Sequence, residues 1–450
     1  MKVMKFGGTS VADAKAWKQV YSIISKEKDV VTVVSATTKT TNDLLSASDL
    51  AKNGNLTEAM NVSERILKRH TQIVDELMNK TDHPVLFEQC IAWIYEHVDL
   101  LNNYLLGIHT LRELTPRSLD VISSIGERMS SYLIAKIGPL YDVQSVHIDS
   151  RDVIITTPDF GKALPIQKEI NNRISVVKHH LENEHTPIMG GFYGSSLQGE
   201  LTTLGRGGSD FTASLVGLAI GADDIEIWTD VSGMYTCDPR MVPTATPIPE
   251  ISFNEAAELA YFGAKVLHPA TIQPAVEKNI PVWIKNTFKP TDHGTKIYAG
   301  APLDGVFRAL AFKKDITIIT INSTRMLLAY GFLAKVFSIF EKHKVSVDLV
   351  TTSEVSVSMS VDTKDNLDPI IEELMQIGHV HVNVKLALVS VVGQNFLNST
   401  GVAARIFNKV SNYPIKLISQ GSSDINLSFV VDNEHLTYVV KDLHKEFFGA

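Results

Sequence analysis

The residues best suited to chemistry occur in short clusters, the first of which reads KFGGTS over positions 5–10. The adjacent glycines, Gly7 and Gly8, let backbone N–H groups approach an anion closely, and the helix that follows favours negative charge at its N-terminus. Lys5 adds a full positive charge at the end of a predicted strand. The cluster predicts an anion site, with a plain strand-to-helix turn as the alternative.

A second glycine cluster reads GRGGSD over positions 205–210 and precedes an apolar helix predicted over 211–220. Arg206 can hold a carboxylate through two parallel N–H bonds, which a lysine does not reproduce. The alternative is a flexible turn with Asp210 near the helix N-cap. Two such clusters in one sheet favour phosphate or carboxylate chemistry over two ordinary turns.

Other candidates are ambiguous when they are taken singly. Positions 228–240 combine a polar break with an aromatic residue and an arginine, which suits a nucleotide but is also ordinary turn chemistry. Glu127, in the triplet GER, is predicted to stand at the start of a helix over 128–137, where a carboxylate is usually solvated. Lys265 is by itself typical of a surface charge.

Strands and helices alternate through the first 290 residues, with strands predicted at 2–6, 30–35, 144–148, 187–190, 225–229 and 282–286. Alternation of this kind predicts an open α/β sheet that binds ligands at the carboxyl ends of its strands. The three clusters each lie beside such an end, so the sheet is expected to bring them together.

Composition excludes several classes of protein. With 42 Lys and Arg against 50 Asp and Glu, the net charge of −8 disfavours a general nucleic-acid or anionic-membrane binder. No apolar run approaches the roughly 18 residues of a membrane span. Two distant cysteines and unpaired histidines predict neither disulfides nor a protein-built metal site. We expect a cytoplasmic protein.

The last third of the chain repeats itself at an offset of 70 positions, which aligns Gly331 with Gly401 and Phe337 with Phe407. Each copy predicts a βαββα pattern, and the first is completed to the ferredoxin-like βαββαβ. We therefore expect a domain at 1–290, a linker at 291–312 and two modules at 313–385 and 386–450. Modules this small bury little apolar surface alone and are expected to pack together or against a second subunit.

Taken together, the clusters closely resemble those of aspartate kinases over essentially the whole chain. The resemblance rests on KFGGTS at 5–10, VSA at 34–36 with TN at 41–42, GER at 126–128, GRGGSD at 205–210, WTDV at 228–231, DPR at 238–240 and FGAKVLHP at 262–269. It implies the amino-acid kinase fold, an open sheet sandwiched by helices, followed by two regulatory ACT modules, the second partly interleaved with the first.

The resemblance implies phosphorylation of the β-carboxylate of L-aspartate by ATP, with Mg²⁺ held mainly through the nucleotide phosphates. This is the first step toward lysine, threonine, methionine and diaminopimelate. A carboxylate with a pKa of about 3.9 is ionised at neutral pH, so this nucleophile needs no general base. The alternatives are another carboxylate kinase of the same fold, or a lysine-binding regulator with an inactive kinase domain.

Site residues follow from the same resemblance. The catalytic residues are Lys5 and Asp210, and Asp210 is expected to contact either the substrate ammonium or Lys5. The substrate residues are Ser35, Thr41, Glu127, Arg206 and Ser209. The ATP residues are Lys5, Gly7, Gly8, Thr229, Asp230, Tyr235, Arg240, Lys265 and Val266.

The repeat resembles the regulatory half of the lysine-sensitive, single-activity class. The effector residues are then Met326, Ala329, Gly331, Phe332, Leu333, Asp348, Glu354 and Val355, with Asp348 facing the effector ammonium. Ala329 and Tyr330 stand where relatives of that class tend to carry a serine and a basic residue, so the identity of the effector stays open. The modules are expected to form a homodimer or a tetramer.

Overall fold

The structure is a computed structural model that describes residues 1–263, 267, 269–301, 306–327, 330–363 and 367–449. The chain divides into two compact units. The first contains Met1–Met234, Pro249–Phe253 and the described part of Val266–Ala301; the second contains Tyr235–Ile248 and the described parts of Asn254–Lys265 and Pro302–Ala450. Three predicted binding residues lie outside the described residues: Lys265, Val266 and Ala329.

Strands and helices are numbered separately in chain order. The strands are β1 (Lys2–Phe6), β2 (Val30–Val34), β3 (Ser145–Ile148), β4 (Ile155–Thr156), β5 (Thr186–Gly190), β6 (Tyr193–Ser196), β7 (Leu201–Thr203), β8 (Asp224–Thr229), β9 (Glu250–Ile251), β10 (Val282–Asn286), β11 (Thr295–Ile297), β12 (Phe307–Asn322), β13 (Val350–Thr352), β14 (Ser356–Val361), β15 (His379–Gly393), β16 (Leu417–Ser419) and β17 (Asn426–Asp432). The helices are α1 (Ala14–Ile24), α2 (Thr40–Lys52), α3 (Leu56–Leu77), α4 (Pro84–Leu111), α5 (Pro116–Ile137), α6 (Gln167–Arg173), α7 (Ser175–Glu182), α8 (Gly208–Ile220), α9 (Phe253–Phe262), α10 (Gln273–Glu277), α11 (Phe332–Lys342), α12 (Leu367–Met375), α13 (Val402–Lys409) and α14 (Leu436–Phe448).

The first unit is built on an eight-stranded sheet with the order β3-β5-β2-β1-β8-β10-β11-β9. Neighbours from β3 to β10 are parallel, whereas β11 runs antiparallel to β10. All five residues of β2 are buried, as expected for a parallel strand covered on both faces. The predicted open α/β sheet is confirmed, and the carboxyl ends of β1, β2 and β8 meet at one edge.

Helix α5 begins earlier than the sequence analysis predicts. Its N-cap is Thr115, whose side chain accepts a hydrogen bond from the Ser118 N–H, and Pro116 is the first helical residue. A Thr-Pro pair is a helix start signal that the prediction of a helix over 128–137 did not use. Glu127 therefore lies in the helix interior, 4% exposed, so the alternative of a solvated carboxylate at a helix start is wrong.

A glycine lets α5 approach the segment after β2. A Cβ placed on Gly126 would lie 2.6 Å from the Cβ of Ala36 and 3.2 Å from Cγ2 of Thr40. Real Cβ atoms do not approach another carbon to 2.6 Å, so only glycine leaves room for this contact. The helix that carries Glu127 is thereby packed against the carboxyl end of β2.

The second unit contains a six-stranded antiparallel sheet with the order β13-β14-β12-β15-β17-β16. The long strands β12 and β15 run through both halves of the repeat. Residues 316–322 of β12 pair with β14 and with the start of β15, whereas residues 307–313 pair with the end of β15. Residues before the first module therefore belong to the sheet of the second, which is an interleaved arrangement.

Two stretches differ from the predicted linker at 291–312. Thr295–Ile297 forms β11 of the first sheet, and β12 begins at Phe307. The Pro- and Gly-rich composition predicts a linker because only a few residues of each strand lie within 291–312, and each strand borders a turn.

Within the described residues, no helix combines the length and the apolar character needed to cross a membrane.

Because α5 lies so close to the loop after β2, we expect a glycine-to-alanine substitution in this helix to destabilise the protein, the opposite of its usual effect. Alanine is ordinarily favoured over glycine in a helix interior by about 1 kcal/mol, but overpacking costs about 1–3 kcal/mol. Gly126→Ala should therefore lower the free energy of unfolding. Gly107→Ala in α4 is the matched control, since its new Cβ meets nothing within 4 Å and should stabilise the protein. Urea unfolding measures both, and a stabilised Gly126→Ala would contradict the contact.

Candidate active site

An ion pair joins the first two glycine clusters. Lys5 is the penultimate residue of β1, Asp210 lies in the first turn of α8, and Lys5 Nζ is 2.6 Å from Asp210 Oδ1. The side chains are only 11% and 12% exposed. Of the two contacts expected for Asp210, the structure has the one with Lys5. The ion pair holds the Lys5 ammonium at a fixed position, at the edge where several strands end.

The turn after β1 is tighter than the sequence suggests. Gly7 donates its N–H to the carbonyl of Trp228, at 3.0 Å, so this amide is not free to hold a phosphate as expected. A short 3-10 helix, Gly8–Val11, follows at once, and the first N–H groups of a helix have no partner within it. The anion-binding capacity of the turn therefore begins at Gly8.

Glu127 is the most perturbed carboxyl group of the site. Burial raises its pKa to about 8, although N–H bonds from Ala36 and from Glu127 itself, together with the charge of Lys5, act in the opposite direction. Its Oε2 is buried and has no hydrogen-bond partner among the described residues. A cationic donor, such as an ammonium group, would satisfy this oxygen and stabilise the ionised carboxylate.

The loop after β2 is attached to its surroundings through the backbone. The Ser130 hydroxyl donates to the Ser35 carbonyl at 2.8 Å, and the Thr38 hydroxyl donates to the Gly8 carbonyl at 2.7 Å. Ser35 and Thr41 are partly exposed, and their hydroxyls form no hydrogen bond with any side chain among the described residues. These two hydroxyls are thus available to a ligand beside the turn after β1, which is called the phosphate turn below.

The remaining substrate residues lie at the start of α8. Arg206 is exposed in the turn before the helix and forms no ion pair with any described residue. Gly207, at the N-cap, has φ of 72°, a left-handed conformation that glycine adopts without strain. Ser209 follows Gly208 within the first turn. An unpaired arginine and a helix N-terminus both favour an anionic group at this position.

The predicted nucleotide residues divide between the two units. In the first unit, Thr229 is the last residue of β8 and Asp230 follows it, with the Thr229 hydroxyl donating to Asp230 Oδ1 at 3.1 Å. Tyr235 and Arg240 belong to the second unit. There Arg240 makes an ion pair of 2.8 Å with Asp238, and its side chain is 91% exposed.

Sequence reasoning missed Asp120, which organises the approach to the second glycine cluster. This buried carboxylate accepts hydrogen bonds from the Gly161 N–H at 2.9 Å and from both the N–H and the hydroxyl of Thr203, at 3.0 and 2.7 Å. Burial raises the pKa of Asp120, and these three bonds oppose the rise. Nothing near Asp120 in the sequence signals the role, because its partners are 41 and 83 positions away.

In the second unit, the predicted effector residues lie in the first module of the repeat. Met326 packs against the apolar core that contains Phe332, and Gly331 is the left-handed N-cap of α11. Val355 accepts a hydrogen bond from the Ser323 N–H at 2.8 Å. The two other predicted side chains, Leu333 and Glu354, are exposed.

Asp348 is already partly compensated within this unit. Its Oδ1 accepts from the Tyr261 hydroxyl at 2.6 Å and from Lys313 Nζ at 3.1 Å. Its side chain is 4% exposed, and Oδ2 is buried without a partner among the residues that the structure describes. The carboxylate therefore retains one oxygen for a further donor.

Comparison with known proteins agrees with this geometry. Residues 1–286 match the Amino acid kinase family, and residues 389–447 match an ACT domain. Lysine-sensitive aspartokinase 3 of Escherichia coli K12 is 37% identical over 99% of each chain. Aspartokinase 3, chloroplastic, of Arabidopsis thaliana is 39% identical over 99% of this chain and 81% of its own.

Solved structures give the same result. The crystal structure of E. coli aspartokinase III in complex with lysine and aspartate, in the T-state, matches with a TM-score of 0.85 and 36% identity, covering 100% of this chain and 99% of that chain. The R-state structure of the same enzyme with aspartate and ADP matches with a TM-score of 0.84 and 36% identity, over 100% of both chains.

The raised pKa of Glu127 predicts proton release on ligand binding. With a pKa of about 8, roughly nine in ten Glu127 carboxyls are protonated at pH 7, and an arriving ammonium must displace that proton. L-Aspartate should therefore release close to one proton at pH 7, and its affinity should fall about tenfold per pH unit below 8. Calorimetry in buffers of different ionisation enthalpy measures the release.

Glu127→Gln is the control for this measurement, because it removes the titrating group and keeps the shape. The variant should bind aspartate weakly, with no proton release and no pH dependence from this position. Proton-free binding by the unsubstituted protein at pH 7 would show that Glu127 does not meet the ammonium.

Proposed function

We propose, because the chain belongs to the aspartokinase family, that it transfers the γ-phosphoryl group of ATP to the β-carboxylate of L-aspartate. The product is 4-phospho-L-aspartate, the first intermediate toward lysine, threonine, methionine and diaminopimelate. The observation that carries the proposal is the ion pair of Lys5 with Asp210 at 2.6 Å, formed at the same sheet edge as the loop that carries Ser35.

The chemistry requires alignment and charge neutralisation more than proton transfer. The acceptor carboxylate has a pKa of about 3.9 and is already ionised, so no residue has to act as a general base. Bound ATP supplies the phosphoryl group. The protein then has to hold the two reactants in line and offset the negative charge on the equatorial oxygens.

Lys5 would offset that charge. Its ammonium is nearly buried, and Asp210 fixes its position without leaving the chain a net positive charge there. A preorganised cation in a poorly solvated site acts on the transition state at little reorganisation cost. Asp210 thus acts as the partner that orients Lys5.

The substrate's polar groups match the free groups of the site. The unsatisfied Oε2 of Glu127 would receive the α-ammonium. Arg206, which is exposed and without an ion-pair partner among the described residues, would hold the α-carboxylate through two parallel bonds. The hydroxyls of Ser35 and Thr41 would then donate to the reacting β-carboxylate, with Ser209 nearby on α8.

The nucleotide would meet the turn after β1 and the residues after β8. Gly8 offers its N–H at the start of a short helix, and Thr229 and Asp230 lie at the end of the neighbouring strand. For Tyr235, Arg240, Lys265 and Val266, nucleotide binding stays a prediction of the family resemblance. By the same resemblance, Mg²⁺ would be held mainly through the nucleotide phosphates.

Regulation by L-lysine fits the partly compensated carboxylate of the second unit. Asp348 Oδ2 is buried and unpartnered among the described residues, so an effector ammonium would complete its hydrogen bonding. Lys313 contacts this carboxylate from the Oδ1 side and also pairs with Asp362. Effector binding would bias a two-state arrangement within a homodimer or tetramer formed through the ACT modules, in the cytoplasm.

Two alternatives make different predictions. A kinase for glutamate, acetylglutamate or carbamate would turn over its own acceptor faster than aspartate. An inactive lysine-binding regulator would lack a competent phosphate site, yet Lys5, Asp210 and Arg206 are all present. ADP release with each acceptor, with and without lysine, separates the three proposals.

The position of Lys5 predicts a selective catalytic defect. Lys5→Met keeps the length of the side chain and removes the charge, so aspartate-dependent ADP release should fall by at least about a hundredfold. Asp210→Asn, which frees Lys5 without removing it, should cost less. Steady-state kinetics with thermal melting as a check on folding measures both. A folded Lys5→Met variant with normal turnover would remove Lys5 from the reaction.

The free oxygen of Asp348 predicts the effector response. Asp348→Asn keeps the shape but weakens the attraction for an ammonium, so the lysine concentration for half-inhibition should rise by about tenfold or more. Each variant is compared with its own rate without lysine. Glu354→Gln, on an exposed side chain, is the charge-matched control. Identical inhibition curves for Asp348→Asn and the unsubstituted enzyme would place the effector elsewhere.

A further inference from the structure

A chain of hydrogen bonds crosses from α3 to the start of α2, behind the loop that follows β2. Arg69 Nη1 donates to Thr40 Oγ1 at 2.9 Å, and the hydroxyls of Thr40 and Thr37 are 2.6 Å apart. Thr37 Oγ1 lies 3.1 Å from His70 Nε2, and His70 Nδ1 lies 2.8 Å from the carbonyl oxygen of Ile66. His70, Thr37 and Thr40 are all buried.

The two ends of this chain fix the direction of every bond. The carbonyl of Ile66 can only accept, so Nδ1 of His70 carries the ring proton. Burial, assisted by the neighbouring charge of Arg69, lowers the pKa of His70 to about 4, although the bond to Ile66 acts against this. The ring is therefore neutral and its Nε2 is an acceptor. Thr37 must donate to His70, and Thr40 must donate to Thr37.

This direction decides which hydroxyls are available to a substrate. Each hydroxyl has one proton, and those of Thr37 and Thr40 are directed away from any ligand into the chain. Arg69 contacts Thr40 through one nitrogen, and its other terminal nitrogen pairs with Asp43 at 2.7 Å. The hydroxyl donors that remain on this loop and at the start of α2 therefore include Ser35 and Thr41, the two expected to hold the reacting carboxylate.

The same loop also contacts the phosphate turn. Thr38, which lies between Thr37 and Thr40 in the sequence, donates its hydroxyl proton to the carbonyl of Gly8 at 2.7 Å. A shift of Thr37 would therefore alter the position of both the carboxylate donors and one residue of the turn. Lys39, the next residue, has φ of 69°, a conformation that is costly for a lysine and that the surrounding bonds must maintain.

We propose that His70 is a positioning residue for the acceptor substrate. By accepting a hydrogen bond from Thr37, its neutral Nε2 sets the orientation of the Thr37 and Thr40 hydroxyls and holds the loop so that Ser35 and Thr41 donate to the reacting carboxylate. His70 does not touch the substrate, and acts only through the loop. The inference rests on the proposed aspartate kinase activity.

Two substitutions of His70 test the roles of its two ring nitrogens separately. The amide of His70→Gln can reach the place of Nε2 and accept from Thr37, whereas the shorter amide of His70→Asn reaches only toward Ile66. With MgATP and L-aspartate, we expect His70→Asn to raise KM for aspartate about tenfold, and His70→Gln to stay within about twofold of the unsubstituted enzyme. KM for ATP should change less than twofold in both.

Thr37→Val removes the same contact from the other side, with a side chain of similar shape. It also removes the acceptor of the Thr40 hydroxyl, so it should raise KM for aspartate by at least a similar factor. Adding His70→Asn to it should give no further increase, because His70 acts only through Thr37. This variant also tests the proposal if His70→Asn fails to fold. A loss of folded enzyme alone would lower the apparent kcat and leave both KM values unchanged.

The outcomes are distinguishable from failure of the proposed function. If the unsubstituted enzyme releases ADP with aspartate but Thr37→Val leaves KM for aspartate unchanged, His70 is not a positioning residue. Equal effects of His70→Asn and His70→Gln, or factors that multiply in the double variant, would also overturn the inference. If the unsubstituted enzyme shows no aspartate-dependent ADP release, the proposed function itself is wrong.

Discussion

A carboxylate in the interior of a helix constrains much of the first unit. Glu127 is buried in the middle of α5, where ionisation is opposed by the loss of water and favoured by two N–H bonds and by the charge of Lys5. One of those bonds comes from Ala36, which reaches α5 only because residue 126 is a glycine. The length of α5, the glycine at position 126 and the path of the loop after β2 together create the surroundings of this one group.

The loop after β2 then carries the constraint to the rest of the site. Its backbone is held by Ser130 of α5, its Thr38 hydroxyl reaches Gly8, and its buried hydroxyls point toward α3. Every one of these bonds connects residues that are distant in sequence. The loop therefore connects two helices to the turn after β1. The two hydroxyls that remain for a ligand, those of Ser35 and Thr41, do not take part in the chain of hydrogen bonds.

Much of this organisation was predictable from the sequence, and the reasons are local. The glycine clusters stand at strand ends, and alternating elements require a parallel sheet, so Lys5 and Asp210 were expected at one edge. The repeat was visible because both modules keep their apolar periodicity. The fold class, the family and the kinase domain followed from those signals.

The rest depended on contacts that leave no local pattern. The position of Glu127 inside a helix was missed because the start signal at Thr115 lies twelve residues upstream. Gly7 was expected to offer its amide, but the carbonyl of Trp228 on the adjacent strand takes it. The roles of Asp120 and His70 arise from partners in other elements, which single-sequence patterns do not place.

The two units meet the same physical problem in different ways. Glu127 and Asp348 each have one buried oxygen without a partner among the described residues, and each is suited to an ammonium. Glu127 is compensated mainly by a proton near neutral pH, whereas Asp348 is compensated by Lys313 and Tyr261. An ammonium at Glu127 therefore competes with a proton, and one at Asp348 shares its carboxylate with a fixed internal cation.

This difference has a functional consequence for an enzyme of this family. Substrate affinity should follow pH in the range where metabolism operates, because the competing proton leaves Glu127 near pH 8. If an effector ammonium meets Asp348 as proposed, its affinity should depend instead on the ion pair of Asp348 with Lys313 on β12.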